Sequence, residues 1–448
     1  MKTLRKLIGR FLTGPNLKRL LYLVIILIAL ILIYLAVNAI NTGYTRRSQA
    51  ESGTETVELS ISYAYQNSEW NAAIEQIIED FEAENEDIDI SYEPSYAHRV
   101  YEDLLVDQIA MGDLGDLVQL KTPDAYVESG LLAGIPEEIA ELSTYNFTYE
   151  GEIYAVGMVR STSGVLYNKT VFDELSLEEP ETYDDFLTLC EQLQLGGVTP
   201  VGIAGADLWH LEYWVNHFLR TDILAEDENW LKKCANGKVS WTDEEALAML
   251  EHLYTLFSAG YVNSNWQSTR DTDLTYMMAQ GEVAMIYTGA STATDVVDNN
   301  EEIELGWFYL PDEDGQIYVA ENKDTYWGIT QDCAADEGKY DAAVRFLQYF
   351  YSSETYMELL TETSVFSASY SVSDYEQNAL QEQILQEFAY VDETFNAYIG
   401  DASCPQNFES DMFGELILYL SGKQGLEKTA ADIQACWEAD WTEVLENE

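Results

Sequence analysis

Apolar and polar positions change their period several times along this chain, and each change marks an element. Leu20 to Val37 has no period: it is continuously apolar, and with Asn38 to Ile40 it reaches the roughly 20 residues a helix needs to cross a bilayer. Asn41 to Thr56 is polar and rich in Gly, Ser and Thr, the composition of a flexible tether. From Val57 the pattern becomes that of a folded protein. Val57 to Tyr65 is a strand candidate, Trp70, Ile74, Ile77, Ile78 and Phe81 recur at helical spacing, and Ile88, Ile90 and Tyr92 return at period two. A second helix from Arg99 to Met111 leads into a short strand at Asp116 to Val118, after which KTPDAYVESGLL resumes a helical pattern. Alternation of this kind predicts an α/β fold with a mostly parallel sheet and crossover helices on its faces. Farther along, Val283 to Thr288, Gly306 to Leu310 and Ile317 to Ala320 read as strands, the last two joined by the hairpin signal Asp314-Gly315. Ala343, Leu347 and Phe350 mark one amphipathic helix, and Ile433, Trp437, Trp441 and Val444 mark the last.

Charge orients the apolar run. Lys2, Arg5, Lys6, Arg10, Lys18 and Arg19 precede it without an acidic residue, and only Arg46 and Arg47 follow closely, so the N-terminus is expected in the cytoplasm and the rest of the chain outside. A signal peptide cleaved after Ala39 or Ala50 is the competing reading. The run exceeds the typical signal core of about 7–15 residues, which favours an uncleaved anchor. A lipid anchor is excluded, because the first cysteine is Cys190. The expected order is a basic cytoplasmic segment (1–19), a transmembrane anchor (20–40) and a linker (41–56), followed by the folded part.

The first 50 residues hold eight of the 22 Lys and Arg residues and no acid, leaving 14 basic against 80 acidic residues, a net charge of −66. Such a field repels nucleic acid and anionic headgroups and keeps an extracellular protein soluble. Disorder does not follow from it, since 47% hydrophobic residues with 31 Tyr and 10 Trp supply a core. The five cysteines are widely spaced, odd in number and without a CxxC pair, so neither a zinc site nor a dense disulfide framework is indicated. About 390 residues beyond the linker are too many for one core, and two lobes are expected.

Catalytic motifs are missing: HExxH, GxSxG, the P-loop and GxGxxG do not occur. His210 and His217 share a helical face that Glu212 does not, which argues against a metal site, and Asp312 to Gly315 lacks EF-hand spacing. No metal or cofactor is expected. Carboxylate pairs suited to glycoside hydrolysis remain open, because 80 acids always offer some. Aromatic clusters say more, since sugar rings stack on aromatic faces while their hydroxyls bond to polar side chains. Trp209 and Tyr213 fall at i, i+4 on one helical face, and Tyr326-Trp327 lies in a strand-like piece.

Several ordered segments carry a resemblance. GEIYAVGMVRSTSGVLYNKTVFDELSLEEPETYDDFLTLCEQL (151–193) is the fullest, through Leu166-Tyr167-Asn168-Lys169 and Pro180 to Phe186. GDLVQL (115–120), YMMAQGEVAMIYTGAS (276–291), AAVRFLQYFYSSETY (342–356) and LSGKQGLEKTAADIQ (420–434) follow in matching order. Together they resemble the extracellular solute-binding proteins of ABC transporters, family 1, the maltose-binding-like group that captures sugars, over about residues 57–445. Two departures stand out: Gly157 occupies a position where the family carries proline, and Ser291 one where it often carries tryptophan.

The resemblance implies a two-lobe, periplasmic-binding-protein-like clamshell (type II) preceded here by one transmembrane helix, with 57–160 and 308–352 in one lobe and 161–307 and 353–448 in the other. It implies a monomer that traps a carbohydrate between the lobes and hands it to ABC permease subunits without chemistry. A secreted carbohydrate-active enzyme and a clamshell sensor are the alternatives. Cleft positions carried over are Asp116, Arg160, Ser161, Trp209, Tyr213, Ser291, Trp327 and Phe413, with Trp209, Tyr213 and Trp327 expected to stack and Asp116 and Arg160 to bond hydroxyls. The acidic surface adds a preference for neutral sugars over uronates.

Overall fold

The computed structural model describes residues 56–64, 66–94, 101–323, 325–372, 374–395, 404–405 and 408–447. The expected cytoplasmic segment, the anchor at 20–40 and all of the linker except Thr56 lie outside the described residues. Within those described, no helix is long and apolar enough to cross a membrane.

Thirteen strands are described: β1 (Val57–Tyr63), β2 (Ile88–Pro94), β3 (Leu117–Leu120), β4 (Asn146–Tyr149), β5 (Glu152–Gly157), β6 (Val159–Asn168), β7 (Thr199–Gly202), β8 (Val283–Gly289), β9 (Leu305–Phe308), β10 (Tyr318–Asn322), β11 (Tyr326–Ile329), β12 (Phe366–Ser367) and β13 (Glu393–Phe395). They form two sheets. The first runs β2-β1-β3-β11-β5-β4, and the second runs β13-β10-β6-β8-β7, with β9 and β12 also on β6. Apart from the first residues of β1 and β2, both sheets lie in one compact unit formed by 58–84 and 90–448.

The opening elements follow from the pattern. The helix Ser68–Glu84 buries Trp70, Ala73, Ile74, Ile77, Ile78 and Phe81, and the Asn67 side chain caps it by accepting from Trp70 N at 2.8 Å. Phe81 then meets Phe346 edge-on at 5.4 Å, tying this helix to Glu337–Phe350. In the second sheet's half, Phe186, Trp214, Trp230, Trp241, Phe408 and Trp437 share one large core.

Two expectations are corrected. The sheets are mixed rather than mostly parallel: β1–β3, β7–β8 and β10–β13 are parallel, but β11 is antiparallel to both β3 and β5, and β6 is antiparallel to β8, β9, β10 and β12. The reason is that strands pass directly from one sheet to the other, β5 into β6 and β10 into β11, so no helical crossover resets their direction. Asp314-Gly315 does turn the chain, with Gly315 at φ +80° and the Asp312 carboxylate accepting from Asp314 N and Gln316 N. The turn is flanked by a single antiparallel bridge between Pro311 and Ile317, but β9 and β10 both pair antiparallel to β6, so they run the same way and do not pair with each other as a hairpin. β10, which follows this turn, pairs with β6 in the second sheet. The helix Glu354–Glu362 lies against Ser68–Glu84, where Thr355 Oγ1 donates to Asp80 at 3.1 Å.

Candidate functional site

Three of the residues singled out above converge on one point. Gly289 ends β8, and a side chain built there would meet Ser161 Oγ at 3.7 Å, Tyr213 Oη at 3.8 Å and Ser291 Oγ at 4.0 Å. Each comes from a different element: Ser161 from β6 beside its partner Asn322, Tyr213 from the helix Leu211–Phe218, and Ser291 from the N-terminal end of Thr292–Asn299. All three are half-buried. The result is a group of three hydroxyls around a residue with no side chain, at the C-terminal end of β8, where open α/β sheets bind ligands.

The Tyr213 ring backs this group. It stacks on Tyr287 at 6.0 Å and 28°, and His210 meets its edge at 5.8 Å. Burial pushes the His210 imidazole down to about 4, so it stays neutral although Asp271 lies 3.6 Å away. Burial, and secondarily the charge of Asp207, pushes Asp271 up to about 6. His217, about two turns on from His210 and buried, is likewise held down to about 4.

A residue beside the first sheet also reaches the helix that carries Tyr213. Lys121, just past β3, brings its Nζ to 4.0 Å from the Glu212 carboxylate, the neighbour of Tyr213. Tyr326 of β11 is half-buried against Tyr145 at 5.3 Å and Phe147 at 6.4 Å. A second meeting of the two halves joins Ser68 Oγ to Asp298 at 3.4 Å, with Glu69, Asp295 and Asp298 close enough to crowd three carboxylates together. Burial, then the charges of Asp271, Asp298 and Glu69, push Asp295 up to about 7.

The remaining expectations distribute differently. Trp327 is fully buried in β11, edge-on to Phe346 and Phe350, and Phe413 is 1% exposed inside the second core, so both are walls rather than ligand faces here. Asp116 is buried, and its carboxylate accepts from Ser60 N at 2.8 Å, Ser60 Oγ at 2.7 Å and Lys339 Nζ at 2.9 Å, which makes it a strut between β1, β3 and the helix Glu337–Phe350. Arg160 sits at the strand crossing and pairs with Glu321 at 2.9 Å. Trp209 lies in the turn Leu208–His210, and its side chain is outside the described residues.

Tyr145, Lys121 and Gly289 were not singled out from the sequence, and Tyr326 was named there only beside Trp327. For Tyr326 a signal existed: adjacent strand residues face opposite sides, so of Tyr326 and Trp327 only one can enter the core, and the other is the better candidate for the cleft.

Comparison with known proteins bears on the family and the fold. The chain is 24% identical over 278 residues to a multiple sugar-binding protein of Streptococcus mutans, covering 59% of this chain and 65% of that one. It is 25% identical over 249 residues to the melibiose/raffinose/stachyose-binding protein MelE of Bacillus subtilis, covering 52% and 56%. The matched stretch is thus less than two thirds of either relative. Among solved structures, a chitin oligosaccharide binding protein superimposes with a TM-score of 0.76 at 19% identity, over 87% of this chain and 100% of that one. RafE in complex with raffinose superimposes at 0.71 and 21% identity, over 86% and 100%. Residues 66–357 match the family described as bacterial extracellular solute-binding protein, and the chain belongs to that family.

Proposed function

We propose that this protein captures a neutral sugar or oligosaccharide outside the cytoplasm and delivers it to the permease of an ABC transporter, performing no covalent chemistry. The observation that carries the reading is the meeting of Ser161, Tyr213 and Ser291 around Gly289, with Lys121 reaching Glu212 beside Tyr213. Hydroxyls beside ring faces suit a ligand that presents its own hydroxyls and C–H faces. The names of the relatives support the same class, since sugar binding is what they describe.

On this reading the two sheets are the lobes of a type II clamshell, and closure brings Lys121 toward Glu212 over the bound sugar. Stacking falls to Tyr213 and Tyr326, with Trp209 as a further candidate, and Arg160 is reserved for the lobe crossing. The protein acts as a monomer, and Leu20 to Ile40 holds it to the membrane with the folded part outside.

The test is a titration of the full-length chain with raffinose and with chitin oligosaccharides, followed by calorimetry and chromatography of the same mixtures. Saturable binding with intact sugar supports the proposal. Sugar fragments would instead establish the enzyme reading, and no binding to any neutral sugar would overturn it.

A further inference from the structure

Tyrosine hydroxyls hold the strand crossings between the two sheets. Three successive carbonyls of the first crossing each accept one: Tyr351 donates to Gly157 O at 2.6 Å, Tyr356 to Met158 O at 2.7 Å and Tyr145 to Val159 O at 2.5 Å. Tyr145 Oη also lies 3.0 Å from Thr325 O on the returning strand, and that carbonyl accepts from Met158 N at 2.8 Å. The Tyr145 ring covers Gly157 so closely that a Cβ there would come within 2.2 Å of it, which accounts for glycine at this position. Ser143 Oγ adds a second donor to Gly157 O at 3.1 Å, and Ala368 N donates to the Tyr356 hydroxyl at 3.1 Å, leaving its proton for Met158.

All three tyrosines belong to the first sheet's half. Tyr145 precedes β4, Tyr351 follows the helix Glu337–Phe350, and Tyr356 lies in Glu354–Glu362. Tyr351 and Tyr356 are buried, and burial raises both hydroxyls, so they remain protonated donors throughout the physiological range.

The strand break at Met158, with a glycine before it, marks an obvious place for two lobes to swivel. Rotating the backbone there would swing a carbonyl away from a buried hydroxyl and strand both groups. Beyond Val159 the constraint changes. Arg160 and Ser161 pair with Phe366 and Asn322, and the Arg160–Glu321 pair joins partly exposed side chains that can lengthen into water.

We propose that this tyrosine clasp makes Gly157–Val159 a rigid part of the first lobe and sets the pivot of lobe closure one step later, at Arg160–Ser161 and at Glu321–Lys323 on the return strand. The inference deepens the clamshell reading and rests on it for the use made of the pivot.

Hydrogen exchange on the full-length chain without sugar tests it. In the wild type, the amides of Gly157 and Met158 should exchange as slowly as those of β5, with protection falling at Arg160–Ser161. Tyr145→Phe, which keeps the ring over Gly157 and removes only the hydroxyl, should speed exchange at Met158 at least ten-fold and leave β7 and β8 unchanged. Tyr351→Phe should give the same local pattern. Unaltered exchange at Met158 in Tyr145→Phe, a wild-type step at Met158 itself, or an even rise over both sheets in both variants would overturn the clasp. Because no sugar enters the measurement, a failed sugar reading would appear separately, as absent raffinose binding with this exchange pattern intact.

Discussion

Tyr213 and Trp327 carry opposite expectations although both read alike as aromatic candidates. Tyr213→Ala removes a half-buried ring and hydroxyl from the proposed site, and should weaken raffinose binding by about 2 kcal/mol, or roughly thirty-fold in Kd, with the fold intact. Trp327→Ala empties a core position and should cost about 3–5 kcal/mol of stability. Calorimetry and thermal melts on both variants separate the two roles, and reversed effects would return Trp327 to the site. Protonation at the crowded carboxylates gives a second prediction. Asp295, pushed up to about 7, holds its proton more tightly folded than unfolded, so its contribution to stability is full below about 4 and is lost as pH rises through about 7. Asp271, raised to about 6, has the same sign. His210 and His217, both lowered to about 4, have the opposite one, since their contribution is lost as pH falls below about 6.5. The terms oppose each other between pH 4 and 6.5, which leaves Asp295 dominant above that range. Asp295→Asn should therefore flatten the fall in Tm between pH 6 and 8 and melt higher than wild type at pH 8; parallel Tm curves would count against the assignment.

At the level of elements, the residues that carried the family resemblance prove to be structural. Asn168 caps the helix Lys169–Leu175 by accepting from Val171 N, Thr182 caps Tyr183–Leu195 by accepting from Asp185 N, and Ser353 caps Glu354–Glu362 by accepting from Tyr356 N. Caps and amphipathic stripes are local, so the helices Ser68–Glu84 and Tyr101–Met111 and the strands β1, β3 and β8 were legible within a few residues. Strand partners are not local. Whether Asp314-Gly315 closes a hairpin depends on β6, some 150 residues away, and no window of sequence contains that competition. The same holds for the site: Ser161, Tyr213 and Ser291 could be named from resemblance, but their meeting at Gly289 required the pairing of Ser163 with Gly289. Cross-strand complementarity also explains two glycines that pattern alone left unexplained. The Trp307 ring lies over Gly164 and the Tyr167 ring over Gly306, with approaches of 2.5 Å and 2.3 Å for an added Cβ. Gly164→Ala should accordingly cost about 1–3 kcal/mol by overpacking β6 against β9, measured by urea unfolding, whereas a neutral result would mean that the indole can shift aside freely.

For the whole molecule, charge is the property that acts at a distance. Beyond residue 50, 14 basic residues face 80 acidic ones, and several of the basic side chains are already engaged: Lys339 with Asp116, Arg220 with Glu393 and Arg160 with Glu321. An approaching anion therefore meets a field that few free cations relieve, whereas a neutral sugar meets none. Salt screens exposed charges beyond about 8 Å at physiological strength, so the penalty on an anion should shrink as salt rises while the affinity of a neutral sugar stays level. Arg160 is the local exception. It lies at the crossing, its guanidinium is partly exposed, and a uronate that displaced Glu321 could take both of its parallel N–H donors. The field and the fork thus make opposite predictions, and the acidic excess favours the field. Calorimetry of matched neutral and uronic oligosaccharides at low and high salt should find the neutral sugar tighter, with the gap narrowing as salt increases. Tighter binding of the uronate, abolished by Arg160→Gln, would reverse the ligand class and put Arg160 at the centre of recognition.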